Sequence, residues 1–448
     1  MDDFFHGKLP KMTPNALHYD LSVIIPATDE ADNLAELLPQ INAALVPLSI
    51  AYEIIVSENQ PDEYTRRVVQ DNQAKLLSPT VHEYGAALLT GFEHAAGDYI
   101  IVMDADHTHP ASFLCALWEA RSTADIVIAS RYTPGGQAKM TILRLSLSKI
   151  LNVVFSRGLD LRVRDMSSGF RLYKTPVLKG LVTSSKGYDI LQEILVNALM
   201  EGYQICEIPF TYRSRNPDPA YRRVLQFGMA YLKTFTRLWR LRNSIASADY
   251  DARAFDALMP PQRYWQRQRY KHITKLLSNK GKCLDVGCGS SRIMEALPPG
   301  SIALDILMRK LRFARRYGYP TVQGSIFALP MSAGSFPCVI CSQVIEHVPR
   351  ANVLNELDRV LQPGGSLILG TPDYANWQWP AIEWVYKILL PQSYADEHIT
   401  HYSFGELTDE FVRRRGYELE AVRYILQGEL ILSLRKPALT VQDVHPDG

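Results

Sequence analysis

Short apolar runs rich in isoleucine and valine recur through the first half of the chain: residues 21–26 (LSVIIP), 53–58 (EIIVSE), 99–104 (YIIVMD) and 126–130 (IVIAS). Helix-like segments separate them. One begins at Asp32, with Glu36 in its first turns, within ADNLAELLPQINAAL; another covers residues 86–96 and leads into Gly97-Asp98. Strands this short and this apolar, alternating with helices, predict a parallel sheet covered on both faces. In the second half the strand of KCLDVGCGSSRI turns through Asp285-Val286-Gly287-Cys288-Gly289, and SIALDI ends on Asp305. Between the halves, residues 244–262 (SIASADYDARAFDALMPPQ) become small, polar and acidic and end in Pro260-Pro261. The pattern predicts an α/β protein of two doubly wound domains, residues 1–245 and 263–436, joined by a linker over 246–262 and followed by a tail over 437–448.

Candidate chemistry collects at strand ends. The run IIVMDADHTHP ends on Asp104-Ala105-Asp106. Residues i and i+2 of an extended segment share a side, so Asp104 and Asp106 can converge on one hard cation, unless they form a solvated strand-end turn, where aspartate is also common. In open α/β sheets ligands gather at the carboxyl ends of strands. Pro26 to Glu30, Glu58-Asn59 and Asp104 to Asp106 all fall at such ends, which points to a nucleotide and metal site. In the second half, glycines after the first strand permit close approach of a ligand, and Asp305 after the next can accept hydrogen bonds from a ribose diol.

Composition narrows the classes. Of 448 residues, 48 are Lys or Arg and 47 Asp or Glu, which argues against nucleic acid as an electrostatic partner. The cysteines (115, 206, 283, 288, 338, 341) lie in apolar segments, as expected for a reducing cytosol without structural disulfides. Cys338 and Cys341 form a CxxC with strand-like neighbours, read as buried strand rather than zinc or redox site. MDDFFHGKLP has no signal-peptide pattern and no apolar run approaches a bilayer span, so a cytoplasmic protein, at most peripheral to a membrane, is expected.

The segments SVIIPATDEADNL, YEIIVSENQPD, YGAALLTGFEHAAGDYIIVMDAD, IASRYTPGG and MSSGFRLYK occur in an order and spacing that resemble a family-2 glycosyltransferase of the GT-A fold. The likeness covers about residues 18–215 and is greatest to the dolichyl- or polyprenyl-phosphate sugar transferases. It implies a nucleotide-sugar donor, Mg2+ or Mn2+, and inversion at the anomeric carbon. Pro26, Glu30 and Glu58 would then surround the nucleoside, Asp104 and Asp106 would meet metal and diphosphate, and Arg131 and Arg171 would face phosphates. Asp189 or Glu193 of GYDILQE would approach the acceptor, or serve as helix-capping or surface acids. Glu58-Asn59 replaces the usual aspartate pair, Thr108 stands where relatives often carry glutamine, and QxxRW is absent. His107 or His109 is either a substitute ligand or a solvated turn residue.

With KCLDVGCGSSRI, the segments VQGSIFALPMSAGSF, CVICSQVIEHVP, NELDRVLQPGGSLILGTPD and DEHITHYSFGELTDEF resemble a class I S-adenosylmethionine-dependent methyltransferase over about residues 264–436. This implies a Rossmann-like seven-stranded sheet, with Asp285, Gly287 and Gly289 along the methionine and ribose and Asp305 on the ribose hydroxyls. Ser325 and Ile326 would approach adenine, and Ser342 to His347 would border the transferred methyl. Ser291 and Ser325 replace a glycine and an acid of the pattern, and Phe336-Pro337 a Phe-Asp. The insertion from Tyr374 to Tyr402 carries Trp377, Trp379 and Trp384 and is either an acceptor lid or a buried interface. His347, His398 and His401 are either proton acceptors or structural.

The seam AYRRVLQFGMAYLKTFTRLWRLRNS places Arg222, Gln226, Lys233, Arg237 and Arg240 within about 60° on a helix, opposite an apolar stripe. It reads as a helix on an anionic membrane surface or as an ordinary covering helix, with residues 142–157 as its companion. The whole reads as a bifunctional enzyme that transfers a sugar to a lipid phosphate or glycan acceptor and methylates the product. The rivals are a transferase acting on a soluble glycan with a non-catalytic second domain, and a scaffold with degenerate sites.

Overall fold

The computed structural model describes residues 18–213, 221–256, 260–277, 280–350, 352–389 and 398–438. The chain forms two compact units, one holding residues up to Asn197 with Gln204–Leu238, the other Ala198–Tyr203 and the chain from Trp239 onward.

The first unit is built on β1 (Tyr19–Ala27), β2 (Tyr52–Glu58), β3 (Lys75–Leu77), β4 (Gly97–Val102), β5 (Ile126–Ser130), β6 (Gln137–Lys139), β7 (Arg171–Lys174), β8 (Ile205–Pro209) and β9 (Thr211–Arg213). Seven of them form a sheet in the order β3-β2-β1-β4-β7-β5-β8, and β6 pairs with β9. β1 is buried from Leu21 to Ala27, the continuous burial of a strand covered on both faces. Its parallel register pairs Ala27 with Glu58 of β2 and Ile24 with Val102 of β4. That register brings the chain after Pro26, after Glu58 and before Asp104 to one edge. The expected strands are present, but the sheet is not wholly parallel: β7 runs antiparallel between β4 and β5. β7 has only four residues, RLYK, too few to display a period.

The second unit contains β10 (Cys283–Val286), β11 (Ile302–Asp305), β12 (Thr321–Gln323), β13 (Phe336–Ser342), β14 (Leu361–Pro372), β15 (Glu418–Ile425) and β16 (Glu429–Arg435). They form one seven-stranded sheet, β12-β11-β10-β13-β14-β16-β15, in which β16 runs antiparallel to both neighbours. Cys338 and Cys341 lie fully buried on β13, so the CxxC is core.

The segment 246–262 departs from the expected linker. It carries the helix Tyr250–Asp256 and the start of the helix Pro260–Leu277, and buried Arg242 is clamped to Asp249 by a 2.5 Å ion pair. Small and acidic residues here serve helix starts and internal pairing, which composition alone does not distinguish from a connector. Among the described residues no helix is long and apolar enough to cross a membrane. Most of the tail, residues 439–448, lies outside the described residues, as do the side chains of Arg144, Arg222 and Gln226.

Candidate active sites

In the first unit the strand ends open into a cavity of about 740 Å3 lined by Pro26, Glu30, Asn59, Tyr84, Asp104, Asp106 and Asp189, among others. Asp106 is oriented by Thr108, whose backbone N–H and hydroxyl donate to its Oδ1 at 3.1 and 2.5 Å. Burial raises the Asp104 carboxyl above its ordinary range; His109 opposes the shift and Asp106 adds to it. The Tyr84 hydroxyl donates to Asp104 Oδ1 at 3.4 Å, and the Tyr84 ring stacks on Tyr188 at 4.5 Å. A Cβ at Gly169 would lie 2.9 Å from the Tyr84 oxygen, so the glycine of MSSGF makes room for this pair. Asp189 Oδ2 accepts hydrogen bonds from Ser185 and Thr234 at 2.7 and 2.8 Å.

The donor set fits a divalent cation. Five carboxylates, those of Glu30, Glu83, Asp104, Asp106 and Asp189, line the cavity, and among the described residues no lysine or arginine does. A diphosphate entering such a wall needs a cation to offset the repulsion.

Four expected residues lie elsewhere. Glu58 is buried behind the cavity, where Oε1 accepts from the Asp29 N–H at 2.9 Å and holds the loop after β1. Arg131 grips Asp165 through both branches of its guanidinium, at 2.7 and 2.6 Å, instead of facing a phosphate. Arg171 is fully buried, and its terminal nitrogens donate to the carbonyls of Leu191 and Met166 at 2.8 and 2.7 Å. Glu193 is also a brace. Burial raises its carboxyl, but hydrogen bonds from Arg237, Ser185 and Ser184 outweigh that and bring it down to about 2. So held, the carboxylate braces the segment at Ser184 and Ser185, and Arg237 is drawn toward it from the basic stripe. His109 is not a solvated turn residue: its buried Nδ1 accepts from the Asp104 N–H at 2.9 Å, and its ring stacks on Phe170.

The second unit holds a cavity of about 460 Å3. Asp285, Gly287, Gly289, Asp305, Ser325, Ile326, Ser342, His347 and His398 line it, whereas Ile345, Glu346 and His401 do not; the His401 ring stacks on Tyr374 at 3.9 Å. Gly287 has φ +71°, and a Cβ there would lie 2.3 Å from Val344, so no side chain is accommodated. Asp305 accepts from the N–H groups of Gly289 and Leu307, both at 2.9 Å. Asp285 Oδ2 is buried without a partner, and burial together with the Asp305 charge raises its carboxyl to about 7. An unmatched acceptor beside a turn open to close approach fits the ammonium and ribose of S-adenosylmethionine.

Residues outside the motifs complete this wall: Asp251, Trp265, Gln266, Arg269, Lys310 and Glu383. Asp251 accepts from Ser290 Oγ at 3.0 Å, and Arg269 pairs with buried Glu429 at 2.7 and 2.8 Å. Their one sequence signal is the spacing of Trp265 and Arg269, one helical turn apart. The insertion divides: Trp379 is buried against Trp265, whereas Trp377 and Trp384 are 75% and 65% exposed.

Two family models match the chain: "Glycosyl transferase family 2" over residues 22–182 and "Methyltransferase domain" over 284–369. The dolichol-phosphate mannosyltransferase of Pyrococcus furiosus is 33% identical over 237 residues, covering 50% of this chain and 65% of that protein, so the chain spans just under two thirds of that relative's length. The polyprenol monophosphomannose synthase of Mycolicibacterium smegmatis is 30% identical over 209 residues, covering 43% of this chain and 77% of that protein. A crystal structure of glucosyl-3-phosphoglycerate synthase from Mycobacterium tuberculosis, in complex with Mn2+, uridine diphosphate and glucosyl-3-phosphoglycerate, is 18% identical, covers 50% of this chain and 80% of that one, and gives a TM-score of 0.39. The chain belongs to glycosyl transferase family 2 and carries a methyltransferase domain C-terminal to its glycosyltransferase domain.

Proposed function

We propose that the first unit transfers a sugar from a nucleotide donor to a polyprenyl phosphate, and that the second methylates the product or a related glycan with S-adenosylmethionine. The observation that carries the first half is the convergence of Asp104, Asp106, Glu30 and Asp189 on one cavity without a lysine or arginine in its described wall. Asp104 and Asp106 would hold Mg2+ or Mn2+, which supplies neutralisation of the diphosphate as it leaves. Thr108 and Tyr84 fix the orientation of the two carboxylates. A lipid phosphate oxygen is already a nucleophile, so the acceptor needs positioning and charge offset rather than a base. Asp189, anchored by Ser185 and Thr234, supports a second reading in which the acceptor is a glycan hydroxyl and Asp189 takes its proton.

A lipid acceptor is also supported by the surface. On the helix Ile142–Gly158, Ile142 is 83% exposed, and Ile150, Val153 and Val154 are exposed beside Lys149 and Arg157. Leu232 and Lys233 are exposed on the helix Tyr221–Arg242, which meets the first helix at Phe155 and Phe235. Apolar and cationic side chains together suit peripheral contact with an anionic membrane at its cytoplasmic face. Sedimentation with anionic vesicles tests this, and failure to co-sediment with or without polyprenyl phosphate defeats it.

In the second unit Asp305 would take the ribose hydroxyls, Asp285 the ammonium, and Ser325 with Ile326 the adenine edge. The S–CH3 bond breaks as the bond from methyl to acceptor oxygen forms, and the hydroxyl proton passes to His347 or to water. Incubation with a panel of nucleotide sugars, polyprenyl phosphate and S-adenosylmethionine, read by product mass, tests both halves. Sugar addition followed by methyl addition is expected; absence of both products overturns the proposal.

A further inference from the structure

At the wall of the methyl-donor cavity, the lining residues His347 and His398 meet a third donor, Glu346, which is not itself a lining residue. Glu346, His347 and His398 each present one ligand atom, and these atoms lie within 4.8 Å of one another. Glu346 is fully buried; Thr371 donates to its Oε2 at 3.1 Å, while its Oε1 has neither a partner nor access to water. An orphaned carboxylate oxygen beside two imidazoles is costly unless something positive meets it. The residues around the three atoms are tied in place. The N–H groups of Ile399 and Thr400 donate to the Glu346 carbonyl at 2.8 and 2.9 Å, so the segment carrying His398 is fastened to Glu346. Glu383 Oε1 lies 2.8 Å from His398 Nδ1, and Tyr374 lies 2.7 Å from the same nitrogen. A carboxylate on one ring nitrogen sets the tautomer and leaves the other nitrogen its lone pair, the arrangement that supports a metal-ligating histidine.

We propose that Glu346, His347 and His398 bind a divalent cation beside the methyl-transfer position, and that its open coordination positions take a hydroxyl oxygen of the methyl acceptor. Two imidazoles and one carboxylate favour a zinc, manganese, cobalt or iron ion over magnesium or calcium. Three protein ligands leave room for substrate oxygens, as in catalytic rather than structural sites. The cation lowers the proton affinity of the acceptor hydroxyl. The proton leaves to water, the oxygen forms its bond to the methyl carbon, and the sulfonium departs as a neutral thioether. His347 is then a ligand rather than a base. The acceptor class that suits this site is a sugar with adjacent hydroxyls, able to occupy two positions at once.

This inference rests on the methyltransferase reading, and the experiment separates the two. The full chain carrying Asp104→Ala and Asp106→Ala, which removes the carboxylate pair of the first cavity, is titrated with Co2+ and followed by visible absorption and calorimetry. S-adenosylmethionine binding is measured in parallel. One equivalent of Co2+ is expected, with absorption bands diagnostic of nitrogen ligation. Adding Glu346→Gln or His398→Ala should weaken Co2+ binding at least tenfold while S-adenosylmethionine still binds. If His398→Ala loses the methyl donor as well, near-isosteric Glu346→Gln decides. The proposal is overturned if the parent takes up no Co2+ or if Glu346→Gln binds it as tightly as the parent. Failure of every form to bind S-adenosylmethionine overturns the methyltransferase reading instead.

Discussion

The two cavities solve the problem of holding a charged ligand in opposite ways. The first, about 740 Å3, gathers five carboxylates at the ends of adjacent strands and leaves the compensating charge to be brought in with the ligand. The second, about 460 Å3, places single unmatched groups in a more apolar wall: Asp285 Oδ2 and Ser342 Oγ are each buried without a partner. In the proposed function an acidic wall would select a metal and diphosphate by gross charge. Isolated buried acceptors select by matching, because each unsatisfied group costs roughly 1–3 kcal/mol until a ligand donor reaches it. The same α/β architecture therefore supports two recognition strategies within one chain.

The largest effect that sharpens this contrast is loss of a carboxylate proposed to hold the metal. Asp104→Ala should lower sugar transfer by about a thousandfold while S-adenosylmethionine binding is unchanged, as read by product mass and calorimetry on one preparation. Loss of both functions would show that the cavities are not independent. In the second unit, Asp305→Ala removes an acceptor that anchors the loop at Gly289 and Leu307. It should weaken S-adenosylmethionine binding about 10- to 100-fold by calorimetry, with sugar transfer intact.

Glu193 separates scaffold from site. Glu193→Ala removes the acceptor of the Ser184 and Ser185 N–H groups and the charge partner of Arg237, which keeps its hydrogen bonds to the two serine hydroxyls, so it should destabilise the first unit by about 2–4 kcal/mol in urea unfolding. A normal melt with lost activity would return Glu193 to the catalytic set. This carboxyl is lowered from 4.5 to about 2, so its contribution is present above pH 4.5 and lost as pH falls toward 2.

The smallest effect is a pH slope. Asp285 is raised from 3.8 to about 7, so the ligand-free protein keeps a proton there that the unfolded chain has released. Its contribution to ligand-free stability therefore declines as pH rises from 3.8 through 7. Pairing with the donor ammonium requires the carboxylate, so S-adenosylmethionine should bind more tightly from pH 6 to 7, by at most about tenfold per unit, and level off above. Asp285→Asn should flatten the slope; a slope unaltered by that change would place the ammonium elsewhere.

What the chain reveals before folding divides along similar lines. Both sheets were legible, as was the placing of Asp104, Asp106, Asp285, Gly287, Gly289 and Asp305 on the two cavities, because each lies where an apolar run stops and polar or glycine residues begin. Arg131, Arg171 and Glu193 misled because motif position carries no information about partners. Asp165 lies 34 residues from Arg131, and Arg237 lies 44 from Glu193. Tyr84 and Asp251 were silent for the same reason: each takes its place through a contact made only in three dimensions. The segment 246–262 looked like a connector, since a short helix amid small and acidic residues has the composition of a loop.

Titration calorimetry on the intact chain tests the central claim of two independent transferase sites most directly. With a nucleotide sugar and Mn2+ in one experiment and S-adenosylmethionine in another, two one-to-one binding events are predicted, each unchanged when the other ligand is saturating. Asp104→Ala should abolish only the first. Absence of both events, or loss of the second with Asp104→Ala, would contradict the account.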